Sequence, residues 1–328
     1  MLPGTIPRSI PRTTPGISYS TTNGRFHGHL HGHLHVRPPH NPLPTSSHVQ
    51  QEANQKSQPH TVSTSPDQVT ARGASVALQV LGVVQRSIES KASVQLRRGL
   101  GAHGRARPVI TYMSPGSSKS ADELISQIND LDNGASAIGI QIDLRQIPAA
   151  QAIVDATLSR FGSKVDILVN NAGVELVKPL QDITASDFSY VYDLNVRAPL
   201  LLTQAVLPHL RAPGRIINVS SVGARAGFKD LSVYCSSKAA LEGLTRCWAA
   251  ELGAQGHTVN CVNPGPVQTQ LMDNIPKETV EMQKASTPVQ NRIGTVDDIA
   301  QIVSWMASEG SRWVTGQVVS ASGGWAMY

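Results

Sequence analysis

The sequence predicts an α/β fold, a doubly wound parallel sheet with helices on both faces, preceded by a disordered N-terminal tail. Three observations carry this expectation. From about residue 107 short β-branched runs alternate with helical ones, the pattern of a parallel sheet with crossover helices. Four of those runs end in a polar or glycine-containing corner, and open parallel sheets bind ligands at their carboxyl ends. Residues 1 to about 73 are rich in Pro, Ser, Thr, Gln and His and lack apolar periodicity, so that stretch cannot build a core.

Taken in order, the tail comes first. His27, His29, His31, His33 and His35 alternate strictly within it and in an extended chain would share one face open to a divalent metal. With no carboxylate partner or rigid scaffold around them, a solvated low-complexity tail is the plainer reading, and no metal site is assigned. Residues 74–328 are expected to form one domain. Ala74 to Val84 is the candidate first strand, Pro108 to Tyr112 (PVITY) reads as a strand, Ser120 to Leu131 as a helix, and Ala137 to Ile142 as a strand closing at Asp143. Ala150, Ile153, Val154, Thr157, Leu158 and Phe161 follow the 3, 1, 3, 1, 3 spacing of one buried helix face. Val165 to Val169 is a strand feeding N-N-A-G, and a long helix surrounds Asn195 to Leu210. Arg215 to Val219 feeds Ser220 and Ser221, followed by a helix bearing Tyr234. Thr258 to Val262 feeds N-P-G, and Gln317 to Ser320 is a last strand before Gly323 and Gly324.

Composition narrows the function. With 328 residues, 40% of them hydrophobic, a sizeable core is available. No apolar run approaches the roughly 20 residues needed to span a bilayer, so no membrane partner is expected. Cytoplasmic residence is the default. An acid-free, Arg-bearing, Ser/Thr-rich start leaves mitochondrial import as a minor alternative that its prolines argue against. The net charge of +5 belongs to the tail: residues 1–51 carry Arg8, Arg12, Arg25 and Arg37 and no acid, leaving 24 basic against 23 acidic side chains elsewhere. A near-neutral remainder in a chain with 4% aromatics offers no footprint for nucleic acid. Cys235, Cys247 and Cys261 are odd in number and lack C-x-x-C spacing, which suggests neither a disulfide framework nor a zinc site. Cys235 adjoins Tyr234, but successive helical residues diverge by about 100°, so it is expected to stay out of the chemistry.

The stretch Ser221 to Lys238 encodes a proton-transfer device. Tyr234 and Lys238, four apart on a helix, lie on one face. An ammonium beside a phenol favours the phenolate and is expected to pull the tyrosine down from about 10 towards the working pH. Ser221, thirteen residues earlier at a strand end, can hydrogen-bond the same substrate oxygen. Asn170-Asn171-Ala172-Gly173 supplies small residues and a permissive backbone where a flat ligand approaches. Pro264-Gly265-Pro266-Val267-Gln268-Thr269 makes a rigid corner ending in a hydroxyl.

Together, N-N-A-G, Asn195, S-x12-Y-x-x-x-K and P-G-x-x-x-T, in that order on alternating elements, resemble the short-chain dehydrogenase/reductase family over about 107–328, two thirds of the chain. The resemblance implies a Rossmann-like fold and a site residue by residue. Tyr234 would be the acid/base, Lys238 its modifier and a ribose ligand, and Ser221 the holder of the substrate oxygen. Asn195 would order a water in the proton relay. Pro199, four residues later, has no N–H to offer the Asn195 carbonyl, unless it simply occupies the first turn of a helix starting near Arg197. Asp143 and Leu144 would flank adenine. Asn170, Ala172 and Gly173 would line the dinucleotide together with Pro264 and Gly265, and Val267 and Thr269 would meet the nicotinamide. Residues 270 to about 291, with Leu271, Met272, Ile275 and Met282, would form an apolar lid. A homodimer or homotetramer through the helices at about 186–210 and 236–252 is implied as well.

Cofactor choice is read at the end of the Pro108–Tyr112 strand. NAD selection usually places an acid there for the ribose 2′-hydroxyl. Here Ser114 leads to Ser117, Ser118 and Lys119 with no acid before Asp122, which favours NADP(H) over NAD(H). The pattern departs from the family at its start: T-G-x-x-x-G-I-G occurs nowhere. Gly99-Leu100-Gly101-Ala102-His103-Gly104 fits G-x-G-x-x-G, but a strand follows it where a helix should. Either the stretch before about 107 has diverged or its reading frame is shifted. The expected function is an NADP(H)-dependent oxidoreductase interconverting a ketone and a secondary alcohol on a hydrophobic substrate, such as a polyketide-type or aromatic intermediate or an acyl thioester. The alternative is a non-catalytic nucleotide-binding or interaction protein with an impaired cofactor site.

Overall fold

A strand covered on both faces carries apolar residues without alternation. Val165–Asn170 (VDILVN) is the clearest case, with all but Asp166 buried. The structure, a computed structural model, describes residues 79–81, 106–131, 134–269 and 275–328. This strand, β4, joins β1 (Gln79–Leu81), β2 (Val109–Tyr112), β3 (Ile138–Gln141), β5 (Leu210–Val219), β6 (Thr258–Pro264) and β7 (Val318–Ala321). The sheet order is β3-β2-β1-β4-β5-β6-β7, and every neighbouring pair is parallel. The chain therefore builds outward from β1 to β3, then crosses back to β4 on the other side of β1. Where the order reverses, the connections part and leave a crevice beyond the strand ends.

Strand periodicity sends neighbouring side chains to opposite faces, and each face has its own helices. Leu168 and Ile216 pack with Ile153 and Val154 of α2 (Ala149–Phe161), Leu202 of α4 (Ala198–Val206) and Trp248 of α5 (Ser232–Leu252). Their neighbours Ile167, Val169 and Ile217 instead meet Ala300, Val303 and Met306 of α7 (Val296–Ala307). Leu124 and Ile128 of α1 (Pro115–Asn129) cover Ile110. Two further helices, α3 (Ala185–Tyr192) and α6 (Lys277–Ala285), complete the set among the described residues.

Three boundaries differ from expectation. The helix α1 starts at Pro115 rather than Ser120 because Ser114 caps it, accepting from the Ser117 N–H at 3.2 Å. Apolar spacing shows only the buried face and misses that polar first turn. The long helix around Asn195 is three pieces: α3, a π-helical turn over Asp193–Arg197, and α4. Pro199 lies in the first turn of α4, so the loss of an N–H and the new helix start are one event. Strand β5 begins at Leu210, five residues before Arg215, with its register on β4 shifting between Val165 and Ile167. The expected first strand is described only at Gln79–Leu81, where it lies inside the sheet between β2 and β4. The tail over 1–73, its histidine run and Gly99–Gly104 lie outside the described residues. Among the described residues no helix is long and apolar enough to cross a membrane.

Candidate active site

Ser221 leaves β5 in extended conformation and caps a 3-10 turn, Val222–Ala224, its hydroxyl oxygen accepting from the Gly223 N–H at 3.0 Å. A hydroxyl has two acceptor positions and one donor, so the cap leaves the O–H free for another oxygen. That hydroxyl also bonds the phenol of Tyr234, in the first turn of α5. One turn on, Lys238 is 4% exposed and donates from Nζ to the Val219 carbonyl at 2.9 Å, with Nζ 5.9 Å from the Tyr234 ring centroid. Ser221, Tyr234 and Lys238 thus meet at the carboxyl end of β5, as their spacing anticipates.

Their electrostatics differ from the expected pattern. Burial pushes the Tyr234 phenol up to about 12, against the lowering effect of its Ser221 hydrogen bond, and the Glu175 carboxylate and Cys235 thiol add to the rise. Burial pulls the Lys238 ammonium down to about 8. The helical spacing is right, but Nζ turns to a carbonyl rather than to the phenol oxygen, so desolvation governs both groups.

Asn195 sits in the π turn, completely buried. Its Oδ1 accepts from the Val174 N–H at 2.9 Å; its Nδ2 donates to the Val174 carbonyl at 2.9 Å and to Ser237 Oγ at 3.0 Å. Ser237 in turn donates to the Tyr234 carbonyl at 2.7 Å. The carboxamide is therefore a clamp, and any water held by Asn195 would use its backbone carbonyl. Gly173 brings the two halves together: a Cβ there would stand 3.1 Å from Lys238 Nζ and 3.3 Å from Asn195 Oδ1. Only a residue without a side chain leaves both in place.

The remaining candidates divide. Asn170 and Ala172 are buried at the end of β4; Asn170 Nδ2 donates to Asn218 Oδ1 at 2.8 Å, and its Oδ1 has no partner among the described residues. Pro264 and Gly265 close β6, where a Cβ on Gly265 would come within 2.8 Å of Ser322 Cβ. Val267 and Thr269 are half-buried just beyond, Val267 bridging to Gly294. At the other end of the sheet, Asp143 turns its carboxylate to Arg145, 2.9 Å from Nε, which holds it below the usual carboxylate range. Leu144 is 6% exposed and packs in the core. Ser117 is buried and its Oγ meets Ser114 Oγ at 2.9 Å, while Ser118 bonds Asp122 at 3.2 Å. Both stand in the first turn of α1, not in the loop that the sequence suggests. Of the lid residues, Leu271 and Met272 lie outside the described residues, Ile275 is half-buried and Met282 is 64% exposed on α6.

Sequence reading missed Glu175, Ser237 and the placement of Cys235. Glu175 follows the clamped Val174 and is felt by both Tyr234 and Cys235. Ser237, three residues after Tyr234, could have been found from helix position alone. Cys235 does not point away: a Cβ on Gly223 would lie 3.2 Å from its Sγ and 3.3 Å from Ser221 Oγ. Burial pushes its thiol up, so it borders the site as an apolar group.

The profile described as Enoyl-(Acyl carrier protein) reductase matches residues 98–326. The chain belongs to the short-chain dehydrogenase/reductase family. It is 45% identical over 220 residues to Dehydrogenase OXI1 of Cochliobolus heterostrophus, covering 66% of this chain and 95% of that one. It is 35% identical to Hydroxynaphthalene reductase arp2 of Aspergillus fumigatus over 216 residues, 62% of this chain and 78% of the relative. Among solved structures, the blue fluorescent protein from a metagenomic library in complex with NADPH is 34% identical, with TM-score 0.68 over 77% of this chain and 98% of that one. A short-chain dehydrogenase/reductase is an oxidoreductase, and the cluster of Ser221, Tyr234, Lys238 and Asn195 stands at the strand ends where such a fold works.

Proposed function

We propose that this short-chain dehydrogenase/reductase is an NADP(H)-dependent reductase that converts a hydrophobic ketone to a secondary alcohol, and the reverse. The observation that carries this is the meeting of Ser221, Tyr234, Lys238 and Asn195 beside Gly173 at the carboxyl edge of the sheet. The chain suits a nicotinamide cofactor: Gly173 and Gly265 are half-buried corners that put no side chain between the backbone and a ligand, and Asn170 Oδ1 is a buried acceptor without a partner among the described residues. Asn170, Ala172, Gly173, Pro264 and Gly265 would hold the dinucleotide, Val267 and Thr269 the nicotinamide amide, and the backbone at Asp143 and Leu144 the adenine edge. When bound, the nicotinamide supplies the hydride.

Tyr234 gives its phenolic proton to the carbonyl oxygen as that oxygen becomes an alkoxide. Ser221, whose donor is free of the cap, holds the same oxygen, so charge developing there is met by two hydroxyls. A phenol held near 12 is fully protonated at neutral pH, which suits an acid in the reductive direction. The Lys238 ammonium stabilises the phenolate left behind and binds the ribose, and a water on the Asn195 carbonyl returns the proton.

Preference for NADP(H) is supported by the start of α1, where Ser118 and Lys119 are not buried and the first turn carries no acid, and by the NADPH in the blue fluorescent protein. A polyketide-type aromatic substrate is supported by the hydroxynaphthalene reductase relative. An assembly of two or four copies belongs to the same reading, supported by Phe188, 47% exposed on α3 and stacked on Tyr192 at 4.1 Å. The test is to titrate the purified full chain with NADPH and NADH and follow nicotinamide absorbance with bicyclic aromatic ketones. Tighter NADPH binding with ketone-dependent oxidation is expected; no binding of either nucleotide would overturn the proposal in favour of a non-catalytic protein.

A further inference from the structure

Gly223 stands where the side chains of Ser221, Phe228 and Cys235 close on one point. A Cβ placed there would stand 3.2 Å from Cys235 Sγ, 3.3 Å from Ser221 Oγ and 3.6 Å from Phe228 Cε2. The edge of the Phe228 ring and the Ser221 hydroxyl are therefore neighbours across Gly223. Behind Phe228 stands Trp325, ring centroids 5.8 Å apart and tilted 31°. Both rings are half-buried, and neither belongs to the three core clusters.

The pair is held from both sides. Gly323 and Gly324 take φ of 63° and 85° and turn the chain so that the Trp325 N–H donates to the Ser322 carbonyl at 3.1 Å. Ala326 accepts from Ser320 and Ser322 hydroxyls at 3.0 and 3.1 Å. Tyr328 donates its hydroxyl to the Val222 carbonyl at 2.7 Å, and its ring lies 5.1 Å from the Arg225 guanidinium carbon. Val222 is the residue after Ser221, so the segment that carries Trp325 is bonded directly to the turn that aims the candidate catalytic hydroxyl. Rings fixed in advance offer a flat apolar surface with little ordering left to pay on binding.

We propose that Phe228 and Trp325 are specificity-determining residues, a paired aromatic wall beside Ser221 and Tyr234 that selects flat, ring-fused ketones over compact aliphatic ones. This rests on the reductase reading above and names its substrate class. Trp325 carries the larger surface; Phe228 sets how near the substrate ring comes to the Ser221 hydroxyl.

The test uses the full chain with NADPH and compares kcat/KM for 2-tetralone with that for cyclohexanone. Trp325→Leu and Phe228→Leu keep apolar bulk but remove a ring, and each is expected to lower the 2-tetralone to cyclohexanone ratio about tenfold, the scale of one aromatic contact. Trp325→Phe is expected to restore most of it. A ratio unchanged in both leucine variants overturns the wall, as does an equal loss on both ketones. Saturation-transfer NMR with 2-naphthol, which presents the ring without a reducible ketone, separates this from the reductase reading. If neither ketone is turned over, 2-naphthol binding present in the wild type and lost in Trp325→Leu upholds the wall while the reductase reading falls. Binding absent from the wild type, or unchanged in the variant, overturns the wall.

Discussion

Asn195 grips Val174 by both polar ends of its backbone: Oδ1 accepts from the Val174 N–H and Nδ2 donates to the Val174 carbonyl, each at 2.9 Å. This fixes the chain just past Gly173 and, through Ser237, ties it to the turn carrying Tyr234. In Asn195→Ala the Val174 N–H and C=O lose these buried partners, at about 1–3 kcal/mol each. A lowered Tm and a fall in kcat larger than any rise in KM are expected. Chemical denaturation and steady-state kinetics check it, and an unchanged Tm would show that the clamp is idle.

Gly173→Ala probes the closest approach in the site. Its Cβ would press Lys238 Nζ at 3.1 Å and Asn195 Oδ1 at 3.3 Å. Nζ ends a flexible side chain and can yield by a few tenths of an ångström, so the fold should survive while the lysine moves off its place. Activity should fall about tenfold, since small misplacements of catalytic groups are costly, with circular dichroism unchanged.

At the end of β6, Gly265→Ala meets backbone and not a flexible tip, with Ser322 Cβ at 2.8 Å and Cα at 3.0 Å. Overpacking of this kind costs about 1–3 kcal/mol. The expected result is a lower Tm together with weakened nucleotide binding, because the corner that leads to Val267 and Thr269 is displaced. Thermal melts with and without NADPH measure both.

Stability should depend on pH through Lys238. Its folded value, about 8, lies below the ordinary 10.5. Between those values the unfolded chain binds more protons than the folded one, so this group makes stability rise with pH over that window. Cys261, pushed up to about 12 by burial from an ordinary 9, acts in the opposite sense from pH 9 upward, and Tyr234 does so from pH 10. The difference between wild type and Lys238→Met isolates the lysine. Wild-type stability relative to the variant should climb from pH 8 to 10, and a flat difference would contradict the shifted lysine.

The sheet was legible because a strand buried on both faces writes a continuous β-branched run, and a polar corner marks its end. Tyr112, Asp143, Asn170, Val219 and Pro264 were each placed within a residue or two of their strand ends. Tyr234 and Lys238 were legible because one helix fixes their relation. Less could be read where contacts are not local. The first turn of α1 is polar and hides from apolar spacing. Cys235 faces Ser221 because the 3-10 turn folds back on α5, and helix geometry alone cannot show that. Phe228 and Trp325 are nearly a hundred residues apart, and no spacing announces that they meet. The rise at Tyr234 escaped because burial, not the neighbouring ammonium, dominates it.

Replacing Tyr234 by phenylalanine removes one oxygen and leaves the ring, the helix and the lysine. With the full chain, NADPH and 2-tetralone, the variant should bind NADPH as the wild type does and lose about 10²- to 10⁴-fold in kcat, the usual contribution of a positioned acid. A Tyr234→Phe protein that reduces the ketone at the wild-type rate would contradict the assignment of the proton transfer to Tyr234.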